Sequence, residues 1–358
     1  MHARKPGTWL VLVLTMMLLG AACGDDNNTD AGGENTQTAA GGEKVSGTIN
    51  VSGSSTVEPI TVRVAELFQD VESGVDVNVD GPGTGDGFVL FCNGETDISD
   101  ASRAIKKAEA DDCAKNGIEF IELKVAIDGL AVMTSPQNKV ECLSFPDLYA
   151  LAGPESQGFK RWTDAQALAK ELGSKTTFPA NQELTMVAPG EESGTYDSFI
   201  ELALEKIAAK RVEAGKITED KAGGTRPDYQ SSGDDNIIIQ GIAGAKGSFG
   251  WVGFAFADEA GEGVKKISVS KEPGGECVAP TAETISSATY PLSRYLYIYV
   301  NSKKLADNPA IGPFIDFYLG DGIKAVGEVK YVELAAADLQ ATKSVWEGKT
   351  TGTRDGGN

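Results

Sequence analysis

Twice in quick succession the chain runs from a strand through a short loop of glycine and hydroxyl residues into a helix. Thr48-Ile49-Asn50-Val51 alternates as a strand should, and Gly53-Ser54-Ser55-Thr56 follows. The next segment, Val57 to Gln69, carries Pro59 near its first turn and sets Ile60, Val64, Leu67 and Phe68 on one helical face. Val75, Val77 and Val79 then alternate with Asp76, Asn78 and Asp80, and Gly83-Thr84-Gly85-Asp86-Gly87 leads to a helix expected near Gly87-Phe88. This is the parallel βαβ pattern of an α/β protein, in which ligands sit at the carboxyl ends of the strands. A third unit lies far along the chain. Glu183 to Val187 reads as a strand, Glu192-Ser193-Gly194-Thr195 as the loop, and Phe199, Leu202, Ala203 and Ile207 as one face of the helix.

A helix N-terminus has unpaired N–H groups and the positive end of the peptide dipoles, so it attracts anions. One hydroxyl-bearing loop before a helix is commonplace, since Ser and Thr also serve there as caps. Three of them, spread over both halves of the chain, point to helix N-termini converging on one small tetrahedral oxyanion.

Elsewhere, Thr96 to Arg103 is a short polar stretch, in which Asp97 is expected to brace a turn. Ile118 to Leu123 and Val125 to Thr134 read as two strands, Gly250 to Phe254 as a buried strand, and Tyr295 to Val300 as a strand returning the chain to its first half. Trp251 and Phe254 belong to the core, and Asp234-Asp235-Asn236 caps a helix carrying Ile237, Ile238 and Ile239. The folding part is roughly 300 residues, more than one comfortable core, which favours two domains. Hydrophobic residues make up 41% of the chain, enough for both. A net charge of −20 argues against nucleic acid as a partner. It does not exclude a small anion, because donors in a closed cleft act at contact distance while surface charges are screened beyond about 8 Å.

Residues 1–22 have the pattern of a signal peptide: Arg4 and Lys5, then an apolar run from Trp9 to Leu19 too short to span a bilayer stably. Leu19-Gly20-Ala21-Ala22-Cys23 resembles a bacterial lipobox, which makes Cys23 the expected lipidation site and anchors the chain to a membrane, facing the periplasm or the outer surface. Residues 24–46 are rich in Gly, Asn, Asp and Thr and are expected to form a flexible tether with a reach of roughly 25 Å. Residues 349–358 are expected as a flexible tail.

The only histidine is His2, inside the signal segment. That weighs against Ser-His-Asp and Cys-His chemistry and against a catalytic zinc. Cys92, Cys113, Cys142 and Cys277 remain after Cys23, an even number in an exported chain, which reads as two disulfides. Spacing leaves three pairings open. The favoured one joins Cys92 to Cys113 and Cys142 to Cys277, each bond contributing roughly 3–5 kcal/mol in the chain-entropy picture.

Taken in order, these motifs resemble the PstS family, the phosphate-binding subunits of bacterial phosphate ABC transporters. The matching stretches are Gly53 to Thr56 with Pro59, Gly83 to Phe88, Thr96 to Arg103, Asp128 to Val132, Glu192 to Thr195 with Phe199, Tyr229 to Asn236, and Gly250 to Phe256. The resemblance implies a type II periplasmic-binding-protein fold, with two α/β domains joined by a hinge and the ligand between them. Residues 47–127 with 291–348 would form the first domain and 128–290 the second. It implies phosphate as ligand, a membrane permease as partner, no cofactor, no metal and no catalysis, in a chain expected to be monomeric. The implied ligand residues are Ser54, Ser55, Thr56, Val57, Thr84, Ser102, Arg103, Ser193, Gly194 and Thr195. Family members often carry an arginine shortly before the Ser-Gly-Thr. Here Ala188-Pro189-Gly190-Glu191-Glu192 has none, which leaves Arg103 as the expected cation.

Hydrogen phosphate carries a proton that sulfate lacks, and a carboxylate in the site would accept it while being left unpaired and repelled by sulfate. Asp86, Asp100, Glu191 and Glu192 are the candidates, and the sequence does not choose among them. Other readings are a binding protein for sulfate or molybdate, a surface scaffold, and a secreted phosphatase using Ser193 or Ser55 as nucleophile.

Overall fold

The computed structural model describes residues 45–356; the signal segment, Cys23 and the tether through residue 44 lie outside the described residues. Eleven strands are present among them: β1 (Gly47–Gly53), β2 (Val75–Asp80), β3 (Ile98–Ala101), β4 (Phe120–Thr134), β5 (Cys142–Ser144), β6 (Thr185–Ala188), β7 (Gln230–Ser231), β8 (Ser248–Gly253), β9 (Lys265–Lys266), β10 (Ser268–Ser270) and β11 (Ser293–Asn301). The main sheet has the order β2-β1-β3-β11-β4-β8-β6-β7, with β9 also on β4, while β5 and β10 form a separate pair. β1 is parallel to β2 and β3, and β6 is parallel to β8 and β7, as strand–loop–helix units require. β11 is antiparallel to both β3 and β4, and β4 is antiparallel to β8.

The buried side chains gather mainly around two cores. One holds Ile49, Val51, Ile60, Val64 and Phe314; the other holds Leu148, Trp162, Phe199 and Trp251. We call the surrounding parts lobe 1 and lobe 2. β4 passes from one to the other, giving Val125 and Ala126 to the first core and Ile127 and Leu130 to the second. β11 follows the same path in reverse, with Leu292 before it in the second core and Leu296 in the first.

β1 opens into helix α1 (Glu58–Gln69), which buries Ile60, Val64 and Phe68 as its periodicity predicts. β2 opens into α2 (Thr84–Cys92), which starts three residues earlier than expected, directly after Gly83. Two glycines hold these units together. A Cβ on Gly53 would come within 2.0 Å of Asp100 O on β3, and one on Gly87 within 2.4 Å of Gly53 Cα. The ends of β1 and β3 and the first turn of α2 therefore meet backbone to backbone.

Three expectations need correction. Thr96 to Arg103 contains a central strand, β3, whose four residues are all buried. Its polar residues hide it from any hydrophobic pattern, because β3 ends inside the candidate site. The two strands expected on either side of Lys124 are one strand of 15 residues. Lys124 is tolerated because its Nζ lies 4.0 Å from the centre of the Tyr295 ring and 2.8 Å from Asp355. The expected flexible tail is docked: Gly352 N donates to Phe120 O at 2.8 Å, and Arg354 N and Asp355 N donate to the buried Glu122.

Both expected disulfides are formed, Cys92–Cys113 and Cys142–Cys277. Trp251 and Phe254 lie in the core, and Asp97 braces β1 by accepting from Asn50 N at 2.8 Å. Among the described residues no helix is long and apolar enough to cross a membrane.

Gly53→Ala is expected to lose roughly 2–4 kcal/mol of stability, since its φ of +152° and the 2.0 Å approach both exclude a side chain. Urea denaturation with an unchanged midpoint would refute that packing.

Candidate functional site

The three loops meet at the carboxyl end of β1 and β3. Ser54 N donates to Asp100 O at 2.9 Å, which ties the first loop to β3. Ser54 itself is spent on the turn: its buried Oγ accepts from Thr56 N at 3.2 Å, and its carbonyl accepts from Val57 N and Glu58 N. The Val57 side chain is core. Ser55 and Thr56 are left projecting toward lobe 2. In the second loop the buried Thr84 Oγ1 accepts from Ser102 N at 3.1 Å and lies 3.0 Å from Ser102 Oγ, so α2 and the end of β3 share one hydroxyl pair.

Lobe 2 supplies the helix Gly194–Phe199, which continues through a π-turn, Ile200–Leu204, into Glu205–Glu213. Ser193 is its N-cap and accepts from Thr195 N at 3.2 Å. Phe199 stacks on Trp251 of β8 with ring centres 3.8 Å apart and nearly parallel planes, which pins this helix to the sheet. Its N-terminus meets the first loop closely, and a Cβ on Gly194 would lie 3.4 Å from Ser55 O. Ser55 Oγ donates to Asp197 at 2.9 Å, and Thr56 Oγ1 lies 3.4 Å from Ser198 Oγ. Ser102 Oγ donates to Glu201 at 3.3 Å. One helical stretch thus touches three loop hydroxyls of the other lobe. Thr195 lies apart from these contacts, along a cavity of about 180 Å³ that it shares with Asp128 and Asp235.

Arg103 does not supply the cation at this meeting point. Its guanidinium forks onto Glu109 at 2.7 and 2.8 Å in the first turn of the helix Lys107–Lys115, over the face of Phe88. The guanidinium that reaches the hydroxyls is Arg294 of β11, which is 11% exposed. Its Nε donates to Asp128 at 3.2 Å, its Nη1 to Glu201, and its Nη2 to Ser198 Oγ at 2.8 Å and Thr56 Oγ1 at 3.4 Å. Burial works against this cation, and Asp128 and Glu201 more than offset it, so its pKa stands above the ordinary value. Burial also raises the Asp128 carboxyl, against the pull of Arg294. Neither residue was singled out as a ligand from sequence, yet each is a charge inside an apolar strand. Two such charges in strands that pair are a legible sign of a buried ion pair.

The four candidate carboxylates separate by burial. Asp86, Glu191 and Glu192 are exposed. Asp100 is 1% exposed, and neither of its carboxylate oxygens has a hydrogen-bond partner. Burial pushes its pKa up to about 7; the Thr61 hydroxyl, nearby but outside hydrogen-bonding geometry, tempers this, and Glu58 adds to it. An orphaned buried carboxyl at the end of a central strand is costly unless something else occupies it.

Two open grooves flank the contacts between the lobes. One, of about 920 Å³, is lined by Ser55, Gly83, Glu191, Glu192, Ser193 and Gly194; the other, of about 820 Å³, by Thr84, Ser102, Arg103 and Arg294.

Residues 38–321 match the PBP superfamily domain. Protein SphX of Synechococcus elongatus is 37% identical over 306 residues, 85% of this chain and 83% of that protein. The phosphate-binding protein PstS of Staphylococcus saprophyticus is 31% identical over 329 residues, 92% of this chain and 89% of that protein. The crystal structure of a possible phosphate binding protein from Planctomyces limnophilus superposes with a TM-score of 0.75 at 33% identity, covering 86% of this chain and 99% of that one.

Asp100 carries a proton more firmly in the folded chain than in the unfolded one, whose ordinary value is 3.8. In the absence of bound anion, stability is therefore expected to fall as pH rises from about 4 to about 7, and to fall less in Asp100→Asn. Chemical denaturation across that window tests this; parallel curves for the two proteins would contradict the burial of an unpaired carboxyl.

Proposed function

Because the chain belongs to the PBP superfamily and, within it, to the PstS family, we propose that it binds inorganic phosphate between its two lobes and delivers it to the permease of an ABC importer. It is a binding protein and not an enzyme. The observation that carries the phosphate reading is the meeting of hydroxyls from both lobes around one guanidinium: Thr56 and Ser102 of lobe 1 and Ser198 of lobe 2 all lie at Arg294 or its partner Glu201, beside the helix N-terminus at Ser193.

In this reading Ser55, Thr56, Thr84 and Ser102 serve the phosphate oxygens from lobe 1, and Ser193 and Gly194 serve them from the helix N-terminus of lobe 2. Asp100 accepts the phosphate proton. Sulfate has none to give, so at neutral pH and above it meets an unanswered negative charge. The lobes move as two domains about the crossings of β4 and β11, near residues 128 and 290, and close over the ion. Cys23 carries a lipid after removal of residues 1–22, and the tether holds a monomeric body just outside the cell membrane. The acceptor–donor pattern favours phosphate over sulfate or molybdate, and the lack of any histidine after His2 disfavours the phosphatase reading.

Calorimetric titration of the chain without its first 22 residues, refolded to strip carried-over ligand, tests this. One phosphate per chain is expected, with sulfate at least a hundredfold weaker at pH 8. Silence toward phosphate would end the proposal. Thr56→Ala is expected to weaken phosphate binding by roughly 1–3 kcal/mol. Asp100→Asn is expected to weaken phosphate and narrow its lead over sulfate. In the unsubstituted protein sulfate binding should strengthen as pH falls through about 7, since a protonated Asp100 donates to it. A sulfate affinity flat from pH 8 to pH 6 would remove Asp100 from its role.

A further inference from the structure

The donors assigned to phosphate already meet an anion that belongs to the chain. Glu201 sits in the π-turn that interrupts the lobe 2 helix, a local irregularity that occurs often at functional sites. One of its carboxylate oxygens accepts from Ser102 Oγ at 3.3 Å and also from Arg294 Nη1. Ser102 in turn shares a hydroxyl pair with Thr84, so Glu201 is linked at once to the end of β3 and, through it, to the second loop. Its side chain is 42% exposed, whereas Asp128, the other partner of Arg294, is 5% exposed. The two carboxylates on this guanidinium are therefore unequal. Asp128 is a fixed anchor, the register partner of Arg294 across β4 and β11. Glu201 stands at the edge of both open grooves, with room to turn out into water.

We propose that Glu201 is an internal competitor, a carboxylate that occupies the Ser102 and Arg294 donors and yields them to an entering tetrahedral oxyanion. A carboxylate and a phosphate edge present the same pair of acceptor oxygens, and a guanidinium serves either in the same fork geometry. When phosphate enters, Glu201 swings into the groove and Arg294, still held on Asp128, turns its charge to the ion. When the lobes part, Glu201 takes the donors back, which lowers affinity and speeds release. The missing arginine before Ser193 is made good from the hinge strand, with its charge kept in check by a residue of the opposite lobe. This rests on the phosphate reading of the site.

The full mature chain is compared with its Glu201→Gln and Arg294→Lys variants, using inorganic phosphate as the probe. Calorimetry gives affinity, stopped-flow fluorescence gives the release rate, and thermal melting without phosphate checks folding. Glu201→Gln is expected to bind phosphate three- to thirtyfold tighter, with most of the gain in slower release. Arg294→Lys is expected to bind at least tenfold more weakly, because a compact ammonium lacks the planar fork whose separate nitrogens reach Asp128 and Ser198 while facing the ion. In the doubly substituted chain the gain from Glu201→Gln should largely disappear. A purely bracing role for Glu201 predicts the opposite sign, weaker binding with a lower melting temperature. Glu201→Gln binding phosphate no tighter than the parent, or an equal gain in both backgrounds, overturns the inference. Absence of phosphate binding by the parent chain overturns instead the reading on which it rests.

Discussion

The pairing of β4 with β11 is the interaction on which the rest of this structure depends. Both strands run from one core to the other, and each stabilises the other's passage through nine register pairs. That register sets Arg294 opposite Asp128. A guanidinium buried at a crossing cannot stand alone, and Asp128 answers it where the apolar strands would otherwise repel both charges. From that anchor its remaining nitrogens reach Ser198 and Glu201 on one side and Thr56 on the other. The cation of the cleft is thus part of the crossing itself and not of a mobile loop.

The polar chemistry around it follows from backbone packing. Gly53 lets β1 lie against β3 closely enough for Ser54 N to bond Asp100 O, and Gly87 lets α2 rest on Gly53. Side chains at either position would spread the loops and separate Thr84 from Ser55 and Thr56. In lobe 2 the Phe199–Trp251 stack does the equivalent work, fixing the helix whose N-terminus meets the first loop. Apolar packing thereby aims short hydroxyl side chains that have little reach of their own.

Asp100 shows how burial changes the chemistry of an ordinary residue. The same carboxyl at Asp86 lies exposed on the surface. Enclosed by α1, without a hydrogen-bond partner, Asp100 resists ionisation until about pH 7. The preference proposed for it, for an anion that bears a proton, rests on that enclosure and not on its identity alone.

Much of the fold was legible because its signals are local. The alternation of β1 and β2, the faces of α1 and the helix after Ser193, and the hydroxyl loops between them depend on neighbours a few residues apart. The even set of cysteines was legible too, although spacing alone left their pairing open. β3 was not, since its Ser99 and Asp100 are polar yet fully buried and carry no hydrophobic period. Nor was the docked tail, whose only visible property was its glycine content. At the site, the sequence by itself determined which loops carry hydroxyls at helix N-termini, and offered four carboxylates for the proposed proton acceptor. Only the tertiary structure decided that Asp100 is the buried one, that Arg103 is spent on Glu109, and that Arg294 stands among the hydroxyls. Arg103 and Glu109 are near neighbours, but the burial of Asp100 and the pairing of Arg294 with Asp128, 166 positions away, are set by how strands pass between two cores. No window along the chain contains that long-range information.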